Sequence, residues 1–199
     1  MQSEEPLLAL PWREREWLEV RGRRIVADES EGDRVAGEDT TGWIVWDASQ
    51  VLLDAVAERL EQLSLQHVVE LAAGTGAAAV GLAWLGAARV TATDLPPLLP
   101  RIRRTAALNG EEGRVEAAAL ELGDGQGLAA LRPSLVCAAD AVYSEGQAAA
   151  LGRSLAAAGC PALLATRDRS AALSARLEAA LPRPFVRALA RGHVVHYMP

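Results

Sequence analysis

Lysine is absent from the 199 residues of this chain, and all 20 basic residues are arginine. This excludes mechanisms that need a lysine of the chain itself, such as a P-loop phosphate contact, a Schiff base or a lysine nucleophile. Cysteine is scarce as well, because Cys137 and Cys160 are the only two and no CxxC motif occurs. A disulfide framework and a cysteine-based zinc site are therefore excluded.

Long apolar runs, a basic surface and paired histidines are missing too. No uncharged apolar stretch reaches the roughly 20 residues that span a bilayer, and the acidic start MQSEEPLLALPWRERE does not resemble a signal peptide. The formal charge of −6 argues against a surface that neutralises nucleic-acid phosphates. His193 and His196, three apart on a predicted strand, point to opposite faces and predict no metal site. We expect a cytoplasmic monomer that binds neither nucleic acid nor membrane.

Apolar material is plentiful, since 50% of the residues are hydrophobic and 23% are charged, which suits one folded domain. From residue 67 onward, short apolar runs alternate with helix-like segments. The predicted strands cover 67–71, 89–93, 114–118, 135–139, 162–165, 185–189 and 193–198, and the predicted helices cover 77–86, 97–108, 145–158 and 169–181. Asp168 is well placed to cap the last of these helices, and Ser170 follows closely. This alternation is typical of a parallel sheet covered by helices on both faces. We predict an α/β, Rossmann-like fold with a seven-stranded, mostly parallel sheet.

The N-terminal part follows a different pattern. Residues 17–26 predict a short β-hairpin around a glycine, and an acidic loop follows it. From Trp43 to Leu63, apolar side chains recur at helical spacing. We divide the chain into an N-terminal extension with its hairpin, residues 1–42, packed on a core domain of residues 43–199.

The first motif with chemical meaning is VELAAGTG, which ends in Gly74 and Gly76 and joins a predicted strand to a helix. The two glycines let the backbone turn tightly and approach a ligand, and the helix N-terminus offers free N–H groups. Asp94 ends the next strand, where its carboxylate can accept hydrogen bonds from a ribose diol. An adenosine-type ligand fits this pattern, and a tight turn without a ligand is the alternative.

The kind of nucleotide depends on Glu70, four residues before Gly74. A dinucleotide would place a pyrophosphate at this loop, and the spacing of the small residues formally allows it. S-adenosyl-L-methionine (SAM) instead brings an ammonium and a sulfonium, which a carboxylate attracts. Glu70 therefore favours SAM over a dinucleotide.

Two further motifs flank the predicted crevice. Asp140 and Tyr143, in AADAVYS, follow a strand whose C-terminal end faces the same site. The alternative is that Asp140 caps the next helix and Tyr143 packs in the core. Trp43 and Trp46, in TGWIVWD, are either core anchors or the wall of a pocket.

In this order and spacing, TGWIVWDA, VVELAAGTGAAAVGLAWLGA, VTATDLPPLLPRI and AADAVYSE resemble methyltransferase family 16, from about Val20 to Tyr197. The resemblance implies a class I methyltransferase fold, SAM as cofactor and S-adenosyl-L-homocysteine (SAH) as product. It also implies methylation of a lysine on a non-histone protein. The implied cofactor contacts are made by Trp46, Ala72, Ala73, Gly74, Asp94 and Ala139, and Asp140 and Tyr143 border the acceptor-lysine channel.

Two departures from the pattern of that family concern the cofactor site, and a third, Thr105, stands where the family often has the first of two asparagines. Ala72-Ala73-Gly74 replaces Gly-Ala-Gly, and we expect a backbone in ordinary φ/ψ space to tolerate the change. Leu122 stands where the family has a tryptophan beside the adenine.

The resulting hypothesis is a SAM-dependent enzyme whose partner is a protein substrate with an accessible lysine. An acceptor lysine must lose a proton before it attacks, because its ordinary pKa is about 10.4. Asp140 is the candidate for holding the ammonium and receiving its proton through water, and Tyr143 for orienting the amine. The alternatives are methylation of a small-molecule nitrogen or oxygen, and a catalytically degenerate SAM-binding interaction protein.

Overall fold

Strands rich in valine, leucine and alanine alternate with helices along most of the chain. The computed structural model describes residues 17–28 and 41–199. Its strands are Leu18–Val20 (β1), Arg23–Ile25 (β2), His67–Leu71 (β3), Arg89–Asp94 (β4), Val115–Ala119 (β5), Leu135–Ala139 (β6), Ala162–Arg167 (β7), Val186–Ala190 (β8) and His193–Met198 (β9). Its α-helices are Asp47–Ala57 (α1), Ala77–Leu85 (α2), Leu99–Leu108 (α3), Gly125–Ala130 (α4), Glu145–Ala158 (α5) and Ala171–Ala180 (α6).

The predicted seven-stranded sheet is confirmed, with the strand order β5-β4-β3-β6-β7-β9-β8. Strands β3 to β7 pair in parallel, and β9 pairs antiparallel with both β7 and β8. After β3 the chain moves to β4 on one side, whereas after β6 it moves to β7 on the other. Such a reversal opens a crevice outside the C-terminal ends of the strands.

The two faces of the sheet are covered separately, because alternate side chains of each strand point to opposite faces. Val68 and Cys137 belong to the core cluster under α1, α2 and α3. Val69 and Val136 belong to the cluster under α4, α5 and α6. Glu70, two residues after Val68, therefore points to the α1–α2 side, where it lies directly opposite Cys137.

The N-terminal hairpin is anchored on α1. The side chain of Gln50 accepts a hydrogen bond from Glu19 N at 2.9 Å and donates one to Glu19 O at 2.9 Å. Leu18 and Ile25 are fully buried in the same core cluster as α1 and α2. The division at residue 42 stays a prediction.

The structure corrects three details of the predicted elements. Helix α1 spans 47–57 rather than 43–63, because a 3-10 turn at Thr41–Trp43 and extended backbone at Trp46 precede it. Helix α4 was missed, since its glycines obscure the helical pattern. Asp168 does not cap α6; the hydroxyl of Ser170 accepts from Leu173 N instead. Within the described ranges, no helix is both long and apolar enough to cross a bilayer.

Candidate functional site

A cleft of about 310 Å3 lies where the strand order reverses, at the C-terminal ends of β3, β4 and β6. Ten of the eleven site residues named from the sequence are placed there or in an adjoining pocket. The main cleft is lined by Trp46, Glu70, Ala72, Ala73, Gly74, Asp94, Ala139, Asp140 and Tyr143. Leu122 lines the adjoining pocket, and Gly76 lines neither.

The loop after β3 approaches the cleft with its backbone. Ala72 has φ +53 and Gly74 has φ +54. The expectation of an ordinary backbone at Ala72 is therefore wrong. Its backbone is in the left-handed region, where a residue with a Cβ loses about 1 kcal/mol of stability. A Cβ at Gly74 would lie 3.1 Å from the backbone oxygen of Gly42, and this tight contact together with the positive φ favours glycine at this position.

Asp94 holds this loop in place. One carboxylate oxygen of Asp94 accepts from Gly74 N at 2.7 Å, and the other accepts from Leu95 N at 2.7 Å. Burial raises the pKa of Asp94, and the two N–H donors oppose that shift. Each oxygen keeps a second lone pair that a ribose hydroxyl can use.

Glu70 lies at the floor of the cleft, where it is 2% exposed. Its Oε2 atom is buried without a hydrogen-bond partner among the residues the structure describes. Burial raises the pKa of Glu70 to about 8, and the nearby Asp94 carboxylate adds to the rise, whereas the N–H of Ala79 opposes it. An unsatisfied acidic group beside a second carboxylate fits a cationic ligand such as SAM and opposes a diphosphate.

The opposite wall of the cleft carries an ion pair that the sequence did not reveal. Arg169 donates from Nη1 to Asp140 Oδ1 at 2.6 Å and from Nη2 to Asp140 Oδ2 at 2.8 Å. The side chain of Asp140 is 4% exposed and that of Arg169 is 19% exposed. The carboxylate is therefore already engaged by a cation, so the hypothesis that it directly holds an incoming ammonium needs revision.

The alternative that Asp140 caps the next helix is wrong. Ser144 is the N-cap of α5, and its hydroxyl accepts from Gln147 N at 3.2 Å. Asp140 has φ +50, which aspartate tolerates better than most residues, and its N–H donates to Ala165 O at 2.8 Å. This backbone geometry holds the carboxylate against Arg169.

Tyr143 stands at the rim, 47% exposed, and lines both the cleft and an adjoining pocket of about 290 Å3. Ala72, Asp94 and Leu95 also line both spaces. Leu122 lines the adjoining pocket together with Asp94.

The two tryptophans have different environments. Trp43 is 6% exposed, and the guanidinium of Arg101 lies 4.0 Å from its ring centroid, so it is a core anchor. Trp46 lines the cleft. Gly76 acts through conformation instead, since at φ +77 it is the N-cap that precedes α2, and its N–H donates to Ala73 O.

Arg169 is the important residue that sequence reasoning missed. It lies 29 residues after Asp140, just beyond β7. The available signal was the parallel pairing of β6 with β7, which brings the residues after both strands to the same sheet edge.

The sequence of this chain matches the model of one protein family. The model of a family described as lysine methyltransferase matches residues 32–173, more than two thirds of the chain. Among curated proteins, none matches the sequence.

Solved methyltransferase structures share the fold. An O-methyltransferase family protein from Burkholderia thailandensis has a TM-score of 0.58 at 17% identity, over 75% of this chain and 55% of that one. An O-methyltransferase from neocarzinostatin biosynthesis, in complex with SAH, has a TM-score of 0.57 at 17% identity, over 73% and 53%. The ribosomal protein L11 methylase from Lactobacillus delbrueckii subsp. bulgaricus has 0.56 at 17% identity, over 74% and 77%. This chain thus spans about half the length of the first two proteins and has the predicted class I methyltransferase fold.

Proposed function

The chain belongs to the lysine methyltransferase family, whose cofactor is SAM, and from that premise we propose that it methylates a lysine side chain of a non-histone protein. The predicted family and cofactor are thereby confirmed. The acceptor and the roles of individual residues belong to the proposal.

The observation that carries the proposal is the division of one cleft into two chemically different ends. Glu70 and Asp94 supply two buried carboxylates at one end, and Asp140, Arg169 and Tyr143 supply a paired and partly exposed set at the other. The first end suits a cationic nucleoside, and the second end opens toward a second reactant. A methyl transfer requires such an arrangement, because donor and acceptor must lie in line.

At the cofactor end, each residue has a role that follows from its geometry. Glu70 would face the cationic amino-acid part of SAM, since its Oε2 has no partner among the described residues. Asp94 would accept from the ribose hydroxyls. Gly74 would allow the close backbone approach, and Leu122 would border the adenine with a smaller side chain than tryptophan.

At the acceptor end, the chain's residues align and desolvate the amine. When bound, SAM supplies a methyl group on a sulfonium, whose sulfur keeps the electron pair of the broken C–S bond. Tyr143 offers a phenol hydroxyl at the rim that can accept a hydrogen bond from the acceptor N–H, which leaves the nitrogen lone pair free for attack. The proton that the acceptor lysine loses leaves to solvent at this exposed rim.

The rim also supports a protein acceptor over a small molecule. Leu95 is 51% exposed and Tyr143 is 47% exposed beside the cleft, so a lysine carried on a partner loop can reach the site from solvent. Both side chains offer apolar surface along which a lysine's methylene groups can lie.

The test uses the purified chain, SAM tritiated on its methyl group, and a lysate of lysine-containing proteins. We expect label in protein, and N-methyl-lysine after acid hydrolysis. Because the chain has no lysine, labelled methyl-lysine cannot arise from the enzyme methylating itself. Asp140→Ala is the control: it should keep SAM binding and lose transfer.

Two results would count against the proposal. Label found in small molecules, or in histidine or a carboxyl ester of protein, would replace the lysine acceptor. SAM binding without any transfer would support a degenerate binding protein instead.

A further inference from the structure

The two ends of the cleft carry different net charge. At the cofactor end, Glu70 and Asp94 are acidic groups without a cationic partner among the described contacts. At the acceptor end, the guanidinium of Arg169 covers both oxygens of Asp140. Among the residues that the structure describes, the buried carboxylate of Asp140 is therefore matched by one cation.

The Asp140–Arg169 pair is held from several sides. Arg167 N donates to Asp140 Oδ1 at 3.3 Å, and Arg169 Nη1 lies 3.4 Å from Val142 O. The guanidinium carbon of Arg169 lies 5.9 Å from the ring centroid of Tyr143. The guanidinium of Arg169 thus contacts the carboxylate and the following loop, and it lies at the outer limit of cation–π range from the rim tyrosine.

We propose that Arg169 is a positioning and specificity residue that keeps the acceptor end electrically neutral, so that the site selects an uncharged amine. The inference rests on the proposed methyl transfer to an amine. Arg169 touches no reacting atom in this assignment, and it acts through Asp140.

The physical reason lies in what the attacking nitrogen needs. An ammonium has no lone pair, so the acceptor must be neutral at the moment of transfer. A carboxylate without a partner would attract the ammonium form and hold its proton, because an opposite charge within several ångströms favours the charged state. Pairing with Arg169 removes that attraction while leaving oxygen lone pairs available for a hydrogen bond.

The experiment measures the charge preference of the acceptor end directly, without a known substrate. Butylammonium represents the charged lysine tip, and butanol represents a neutral molecule of the same shape. Binding of both is titrated by ligand-observed NMR at about pH 8, where an alkyl ammonium is still protonated, with SAH at saturation so that the probes do not occupy the acidic cofactor end. The proteins are wild type, Arg169→Gln and the double variant Asp140→Asn/Arg169→Gln, which leave Glu70 and Asp94 unchanged.

We expect Arg169→Gln to bind butylammonium about tenfold tighter than wild type, with butanol unchanged, because the exposed carboxylate attracts the cation. The double variant should return to the wild-type preference. An unchanged butylammonium affinity in Arg169→Gln would overturn the inference, and so would a gain that persists in the double variant. A merely structural role of Arg169 would change both probes alike.

Arg169→Gln leaves a buried carboxylate unpaired and can prevent folding. In that case the inference is tested by comparing wild type with the double variant for their relative affinity for butylammonium and butanol. Equal charge preference in these two proteins supports a neutral acceptor end, whereas weaker butylammonium binding in the double variant overturns it.

Failure of the inference and failure of the proposed function give different results. A separate calorimetric titration with SAM tests the cofactor end, and Arg169→Gln should leave SAM affinity within about twofold of wild type. Wild type that binds no SAM contradicts the proposed function, whatever the butylammonium result. Once an acceptor is known, Arg169→Gln should lower both KM and kcat, and its rate should recover at higher pH.

Discussion

At the residue scale, the site depends on a few side chains whose surroundings change their ordinary chemistry. Glu70 is an acid buried without a full set of partners, and Asp94 is an acid that holds a loop. Ala72 stands in a backbone conformation that suits glycine. Each of these features predicts a measurable effect of substitution.

Ala72→Gly should stabilise the protein. Removing the Cβ relieves the left-handed conformation at φ +53, and we expect the free energy of unfolding to rise by about 0.5–1 kcal/mol. Urea denaturation measures the change. Ala73→Gly is the matched control, since Ala73 has no positive φ, and it should destabilise by a similar amount. Loss of stability in Ala72→Gly would contradict the claim that the backbone of Ala72 is strained.

Asp94→Ala should weaken SAM binding by about 10- to 100-fold. The substitution removes the proposed ribose acceptor and releases Gly74 N and Leu95 N, and a hydrogen bond to a charged group contributes about 1.5–3 kcal/mol. Isothermal titration with SAM measures the affinity. Asp168→Asn changes an exposed carboxylate that does not line the cleft and should have no effect. An unchanged affinity in Asp94→Ala would remove the ribose assignment.

At the element scale, strand ends and helix starts bring the site together. Strands β3 and β4 present Glu70 and Asp94, and the segment between β7 and α6 presents Arg169. That segment is short, so the start of α6 determines where Arg169 lies. Ser170 is the residue that sets this start.

Ser170→Ala should destabilise the protein by about 1 kcal/mol, because the backbone N–H of Leu173 loses its N-cap partner. Asp168→Ala is the comparison, since Asp168 accepts only from the exposed hydroxyl of Ser174 in the described contacts. It should cost less than about 0.5 kcal/mol. Chemical denaturation of both variants measures the free energy of unfolding. A larger loss of stability in Asp168→Ala than in Ser170→Ala would indicate that Asp168 is the N-cap of α6.

At the scale of the whole molecule, buried titratable groups set how stability depends on pH. Burial raises the pKa of Glu70 to about 8 and lowers the pKa of His67 and His196. Because the pKa of each histidine is lowered in the fold, the unfolded chain takes up these protons first, so stability falls as the pH drops below about 6.5. Glu70 acts in the opposite direction.

Glu70→Gln should flatten the alkaline side of the stability curve. The native state holds the Glu70 proton up to about pH 8, whereas the unfolded chain releases it near pH 4.3. The stability from this proton is complete below the unfolded pKa and is lost as the pH rises through about 8. Thermal melts without ligand should show wild type losing Tm between pH 6 and pH 9 relative to Glu70→Gln. Parallel curves for the two proteins would show that Glu70 is ionised in the fold.

The order and type of most elements followed from local pattern. The bounds predicted for β3, β6, β9 and α5 match the structure, because apolar runs and turn residues mark them. Helix α4 has six residues and two glycines within it, which gives too little periodicity for a prediction. The placement of Glu70 and Asp94 at one edge was also predictable, since the ends of parallel strands meet there.

The sequence by itself determined the fold class, the family resemblance and the cofactor, because these depend on periodicity and on motifs within short segments. Only the tertiary structure decided that Arg169 engages Asp140, that Ala72 takes a left-handed backbone and that Glu70 keeps an unpartnered oxygen. These features arise from side-chain directions and close packing between segments far apart in the chain. No local pattern encodes them, since the same residues could pair with other neighbours until the sheet places them together.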